Sequence, residues 1–135
     1  MKFTLLKRFL FTIVIIAIWS WGHGKTTFES WKVPISNIGD GLAVMAISKA
    51  YLQNEINPFT YQFVSRLGAP FGANWTDFSV TDDLSYFTIG FLGRLVGLGF
   101  ATNLVLILIH LFNAFAYLYL ARSFRVNGYL AYASA

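Results

Sequence analysis

Apolar positions gather in two regions of the chain, and the polar and charged positions fill the ground between them. The first is the uncharged run Phe9 to Trp21 (FLFTIVIIAIWSW), which follows Lys2, Lys7 and Arg8. As a helix, its 13 residues would rise about 20 Å, less than a hydrocarbon core of roughly 30 Å. Leu5, Leu6 and the snorkelling stems of Lys7 and Arg8 must therefore complete the span. The tryptophans at its far end suit the membrane interface. A basic start and a short apolar core also mark a signal peptide. However, Gly22-His23-Gly24-Lys25 is not a small-x-small cleavage site, and Ile and Trp crowd the end of the core, so the pattern predicts an uncleaved first helix.

The second region runs from Leu84 to Ala121, with Arg94 its only charge and Asn103, His110 and Asn113 its polar interruptions. Its 38 residues would measure about 57 Å as one straight helix, too long for a single crossing. The pattern divides it into an interfacial or re-entrant helix at 84–98 and a full span at 101–121, with Gly97 and Gly99 marking the break. Arg122 and Arg125 follow at once. Asn127-Gly128 then turns the chain into a new apolar start at 129–135, which reads as a third span cut short at Ala135; a short interfacial segment is the other reading.

Between the two regions lies a segment of about sixty residues, 22–83, long enough to carry structure or function of its own. Gly39-Asp40-Gly41 leads into LAVMAISKAYLQ, in which Leu42, Met45, Ala46 and Ala50 recur at helical spacing until Asn57-Pro58 ends the pattern. Glycines and a proline in Leu67 to Trp75 specify turns, and their aromatic neighbours suit the headgroup level. The predicted fold is an all-α integral membrane protein. It has two transmembrane helices, 9–21 and 101–121, the start of a third, and a long extracytoplasmic loop whose helices lie along the membrane surface.

Composition agrees with this: 56% apolar, 19% aromatic and 12% charged residues, with a mean hydropathy of +0.58, lie outside the soluble class. There is no cysteine, hence no disulfide, no thiolate nucleophile and no Cys-based metal site. The net charge of +4 does not point to nucleic acid, because the charges are segregated. Segments 1–8 and 122–128 hold Lys2, Lys7, Arg8, Arg122 and Arg125 and no acid, whereas all six acidic residues lie in 22–83. The positive-inside rule then puts both ends in the cytoplasm and the loop outside.

Candidate chemistry sits mostly in the loop. Asp40, at a helix start, reads either as a cap that complements the helix dipole or as a catalytic or metal-binding acid. Asp77, Asp82 and Asp83 offer the hard oxygens that a divalent cation prefers, although their spacing matches no calcium loop; Asp82 or Asp83 would equally cap the helix that follows. Asn74-Trp75-Thr76 fits a glycosylation sequon that matters only in a eukaryotic secretory pathway. Arg94 reads as a snorkelling anchor or as a ligand for a lipid phosphate. Gly90, Gly93 and Gly97 share a helical face on which another helix could approach closely. Asn103, Leu106, His110, Asn113 and Tyr117 form a stripe suited to interhelical hydrogen bonds, or to a proton relay at His110.

Gly39-Asp40-Gly41 soon after the first span, Asn57-Pro58-Phe59, Gly68-Ala69-Pro70-Phe71-Gly72, Thr81-Asp82-Asp83-Leu84 and Ala101-Thr102-Asn103 together give the chain a family likeness. Over roughly Ile35 to Arg125 it resembles the amino-terminal part of the bacterial polytopic glycosyltransferases of the GT-C class. That resemblance implies a cytoplasmic (inner) membrane location, further helices beyond Ala135, and a polyprenyl-phosphate sugar as donor at the outer face. It makes Asp40 the first-loop acid, serving as base toward the acceptor or as a metal ligand, and gives Asp82 and Asp83 as metal or substrate contacts; Arg94, in its reading as a phosphate ligand, would join them in binding substrate. A divalent cation, Mg or Mn, would be held by Asp40 and Asp82. The fragment alone would be inactive. The competing function is that of a small membrane subunit or transporter component that works by helix packing through Gly90, Gly93 and Gly97 and the Asn103, His110 and Asn113 stripe.

Overall fold

The structure, a computed structural model, describes residues 2–35, 40–56, 63–64, 72–74, 83–126 and 131–133, with the backbone alone at 2–4, 40, 64, 73, 74 and 83. Five helices dominate: α1 (Lys2–Gly22), α2 (Phe28–Trp31), α3 (Asp40–Leu52), α4 (Asp83–Val96) and α5 (Leu98–Ser123). A two-residue antiparallel ladder, β1 (Phe63–Val64) on β2 (Ala73–Asn74), pairs Phe63 with Asn74 and Val64 with Ala73. Helices make up most of the described chain, as the apolar pattern predicts, with turns and short irregular segments between them.

One device ends three of these helices. Beyond α1, the Lys25 and Gly24 amides donate to the Ser20 and Trp21 carbonyls (2.6 and 3.2 Å), with Gly24 at φ +65°. Beyond α3, Glu55 and Asn54 donate to Ala50 and Tyr51 (2.9 and 3.1 Å), with Asn54 at φ +60°. Beyond α5, Val126 and Arg125 donate to Ala121 and Arg122 (both 3.0 Å), with Arg125 at φ +56°. Each is the paired closure in which one left-handed residue turns the last carbonyls back onto chain amides. The Gly22-His23-Gly24-Lys25 segment is thus a helix cap. Gly97, at φ +84°, both closes α4 and opens α5: its amide donates to Gly93 and its carbonyl accepts from Ala101, each at 3.0 Å.

The contacts divide the chain into two units, Met1–Ser30 with Leu106–Ala135, and Trp31–Val105. In the first, Phe11 meets Phe115 and Tyr132 edge-on, with ring centroids 5.8 and 5.1 Å apart, and Trp19 meets His110 at 6.5 Å. Contacts move down α5 as they move up α1, so the two helices are antiparallel. Their shared core is small: Leu118, Ala121 and Ala131, with Phe11, Phe115 and Tyr132 against it. Within the stretch Leu5–Gly22 only 6% is buried, and Leu5, Phe9, Leu10, Ile13, Val14, Ile18 and Trp21 are exposed. Each such side chain left in water forgoes about 1.5–3 kcal/mol of burial free energy.

Both Leu5–Gly22 and Leu98–Ser123 are long and apolar enough to cross a membrane. Their 18 and 26 residues measure about 27 and 39 Å. The first stretch exceeds the uncharged run because the helix continues through Lys7 and Arg8 to Lys2.

The second unit packs α3 on α4 and on the first turns of α5. Ile47, Ala50, Tyr51 and Ile56 form one cluster with Tyr86 against it. Ile89, Ala101 and Val105 form another, with Val44, Leu92 and Leu98 at its edge.

Candidate functional site

The candidate acid Asp40 is the first residue of α3, and Asp83 the first residue of α4. The backbone at both positions is helical; their carboxyl groups, and all of Asp82 and Asp77, lie outside the described residues. What the structure gives is the frame that holds α3. Gly90 of α4 is buried against it: a Cβ there would lie 2.6 Å from Tyr51 Cβ, 2.8 Å from the Ser48 carbonyl oxygen and 2.9 Å from the Leu52 amide nitrogen. Only a residue without a side chain admits this approach. Gly93, one turn on, is also buried, and a Cβ there would meet Leu52 Cδ1 at 3.1 Å. The Gly90 and Gly93 face of the sequence pattern is therefore filled by α3. Gly97 has nothing within 4 Å of an added Cβ; its part is the positive φ at the α4–α5 break.

Arg94 extends the same contact to the end of α3. Its Nε donates to the Leu52 carbonyl (3.1 Å) and its Nη2 to the Tyr51 carbonyl (3.0 Å) and to Asn54 Oδ1. These carbonyls belong to the last turn of α3, where the helix dipole is negative, so the guanidinium satisfies acceptors and complements the field together. The head group is exposed, yet three of its bonds are directed into the protein. Arg94 thus caps the last turn of α3. Nothing local in the sequence signals this, since the partners lie some forty residues away.

The stripe on α5 splits. Asn103 is fully buried, and its Nδ2 donates to the Trp31 and Val33 carbonyls, both at 2.7 Å. Trp31 stacks obliquely on Phe100 at 5.6 Å, and a Cβ at Gly99 would run into the Lys32 carbonyl. Asn103 and Gly99 therefore clamp the strap 31–34 onto α5, a use of an intramembrane-type asparagine that its helical spacing did not reveal. Asn103 Oδ1 and Ser48 Oγ are buried and find no hydrogen-bond partner among the described residues. Farther along α5, His110, Asn113 and Tyr117 are exposed. His110 Nδ1 lies 2.8 Å from the Leu106 carbonyl, and its ring, like that of His23, packs against Trp19.

Comparison with protein-family models, with curated proteins and with solved structures finds no match. Function must therefore be argued from this chain alone. Among the described residues no group of three His, Asp or Glu side chains comes together. The carboxyl groups of Asp40 and Asp82, the expected cation ligands, lie outside the described residues.

Proposed function

We propose that the chain is the amino-terminal portion of a multi-pass membrane protein of the bacterial cytoplasmic membrane. In this reading α1 and α5 are spans, both chain ends face the cytoplasm, and the segment 22–83 faces outward. The observation that carries it is the antiparallel pairing of two long apolar helices whose unbalanced arginines, Arg8 and Arg122, fall at the same end while every acid lies in between. Bilayer solvent accounts for the exposed apolar face of α1, which water does not. The exposed polar groups of His110 and Asn113 on a span call for partner helices, such as later spans of a longer chain.

For activity we favour GT-C-like transfer of a sugar from a polyprenyl-phosphate donor at the outer face. Its support is the motif set around Asp40 and the setting of that residue on α3, a helix fixed by Gly90, Gly93 and Arg94. A catalytic acid is most effective on an element that cannot drift. Asp40 would take the acceptor hydroxyl proton, with Asp82 and Asp83 contacting substrate. Carboxylate oxygens at Asp40 and Asp82 are of the type that Mg or Mn prefers.

In the full-length protein, Asp40→Asn is expected to abolish sugar transfer while expression and membrane insertion stay intact. Near-normal turnover in that variant would overturn the catalytic role. The reading as a packing subunit keeps only the His110 and Asn113 face, because α3 already occupies the glycine face of α4.

A further inference from the structure

Within the unit formed by Met1–Ser30 and Leu106–Ala135, a half-open cavity of about 230 Å³ is lined by Arg8, Phe115, Leu118, Tyr119, Arg122 and Tyr132. Arg8 stands on α1 and Arg122 in the last turn of α5, brought to one end by the antiparallel pairing. No acidic residue occurs in 1–28 or 84–135, so neither guanidinium has a carboxylate near it in sequence. The two are differently held. Arg122 Nη2 donates to the Tyr132 hydroxyl (3.1 Å) and its Cζ lies 6.0 Å from the Tyr132 ring centre, while that ring is wedged against Phe11. For Arg8, the bond at its position comes from Thr12 Oγ1 to its backbone carbonyl, which leaves the guanidinium to turn toward the cavity.

Basic residues at helix ends serve commonly as topology anchors. An anchor needs no cavity, no fixed partner and no apolar wall; a phosphate site uses all three. We propose that this cavity binds the phosphodiester headgroup of an anionic phospholipid. Arg122 is pre-set by Tyr132 to take one pair of phosphate oxygens and Arg8 closes from α1, while Phe115 and Leu118 receive the first carbons of an acyl chain. The volume suits a headgroup rather than a whole lipid, and the aromatic and aliphatic walls favour a lipid phosphate over free phosphate. The proposal rests on the reading of α1 and α5 as spans.

The test uses the full chain in detergent, titrated with phosphatidylglycerol or with phosphatidylcholine of the same acyl chains, with bound lipid counted by native mass spectrometry. Phosphatidylglycerol is expected to be retained preferentially. Arg8→Gln and Arg122→Gln should each weaken its retention about fivefold and leave phosphatidylcholine unaffected. Arg125→Gln removes a nearby charge that does not line the cavity, and should change nothing. An equal loss in all three variants would show diffuse charge and overturn the site. So would displacement of the lipid by millimolar inorganic phosphate. Alkaline carbonate washing of the source membranes separates the two levels: release of the protein defeats the spanning reading, whereas a retained protein that binds both lipids equally defeats the site alone.

Discussion

A methyl group at Gly90 would meet two backbone atoms of α3, the Ser48 carbonyl oxygen at 2.8 Å and the Leu52 nitrogen at 2.9 Å, and backbone cannot rotate aside. Gly90→Ala is therefore expected to force α3 and α4 apart and to cost about 1–3 kcal/mol, read as a lower thermal unfolding midpoint of the full chain in detergent. An unchanged midpoint would contradict the close crossing. Gly97→Ala meets nothing within 4 Å, so its cost, about 1–2 kcal/mol, comes from the left-handed φ alone. The sequence marks both glycines as candidates for packing, and only the spatial neighbours separate a contact glycine from a conformational one. The same holds for two polar residues. Arg94 and Asn103 each bond backbone carbonyls far away along the chain. A helical stripe or a lone charge tells that such a residue needs a partner, not which partner it finds.

At the scale of the element, the apolar pattern identified α1, α3, α4 and α5 because each carries a long apolar face or a wholly apolar surface, whereas the four-residue α2 is too short to show a period; the caps form at Gly24, Asn54 and Gly97, residue types that tolerate positive φ. Arg125 fills the same position against that preference. The β1–β2 ladder escaped because two residues per strand cannot display a period. The nature of α1 has a direct test. Val14 is 51% exposed, so in water Val14→Asp would be nearly neutral, whereas at the centre of a span it costs roughly 2.5–3.5 kcal/mol. We expect the variant to lose insertion of α1, read as silencing of a reporter active only outside the cytoplasm and fused near Phe59, while α5 still holds the chain in the membrane. An unchanged reporter signal would mean that α1 does not cross.

For the molecule as a whole, the topology we propose from charge segregation and the antiparallel α1–α5 pair is tested by reporter fusions without regard to chemistry. A reporter active only outside the cytoplasm should be active when fused near Phe59 and silent when fused at Asn127; the reverse pattern would refute the orientation. At this scale the sequence by itself determined the number of helices long and apolar enough to cross a membrane and the segregation of charge, since these depend only on how apolar and charged residues are distributed along the chain. The position of Asp40 at a helix start was legible too, from Gly39-Asp40-Gly41 ahead of an apolar period. Only the tertiary structure decided that α4 presents its glycines to α3, that Arg94 closes the end of that helix, and that Arg8 and Arg122 share a cavity with Tyr132. Those outcomes depend on which surfaces meet across distances in sequence that no local pattern encodes, and close packing selects one such pairing among many of similar composition.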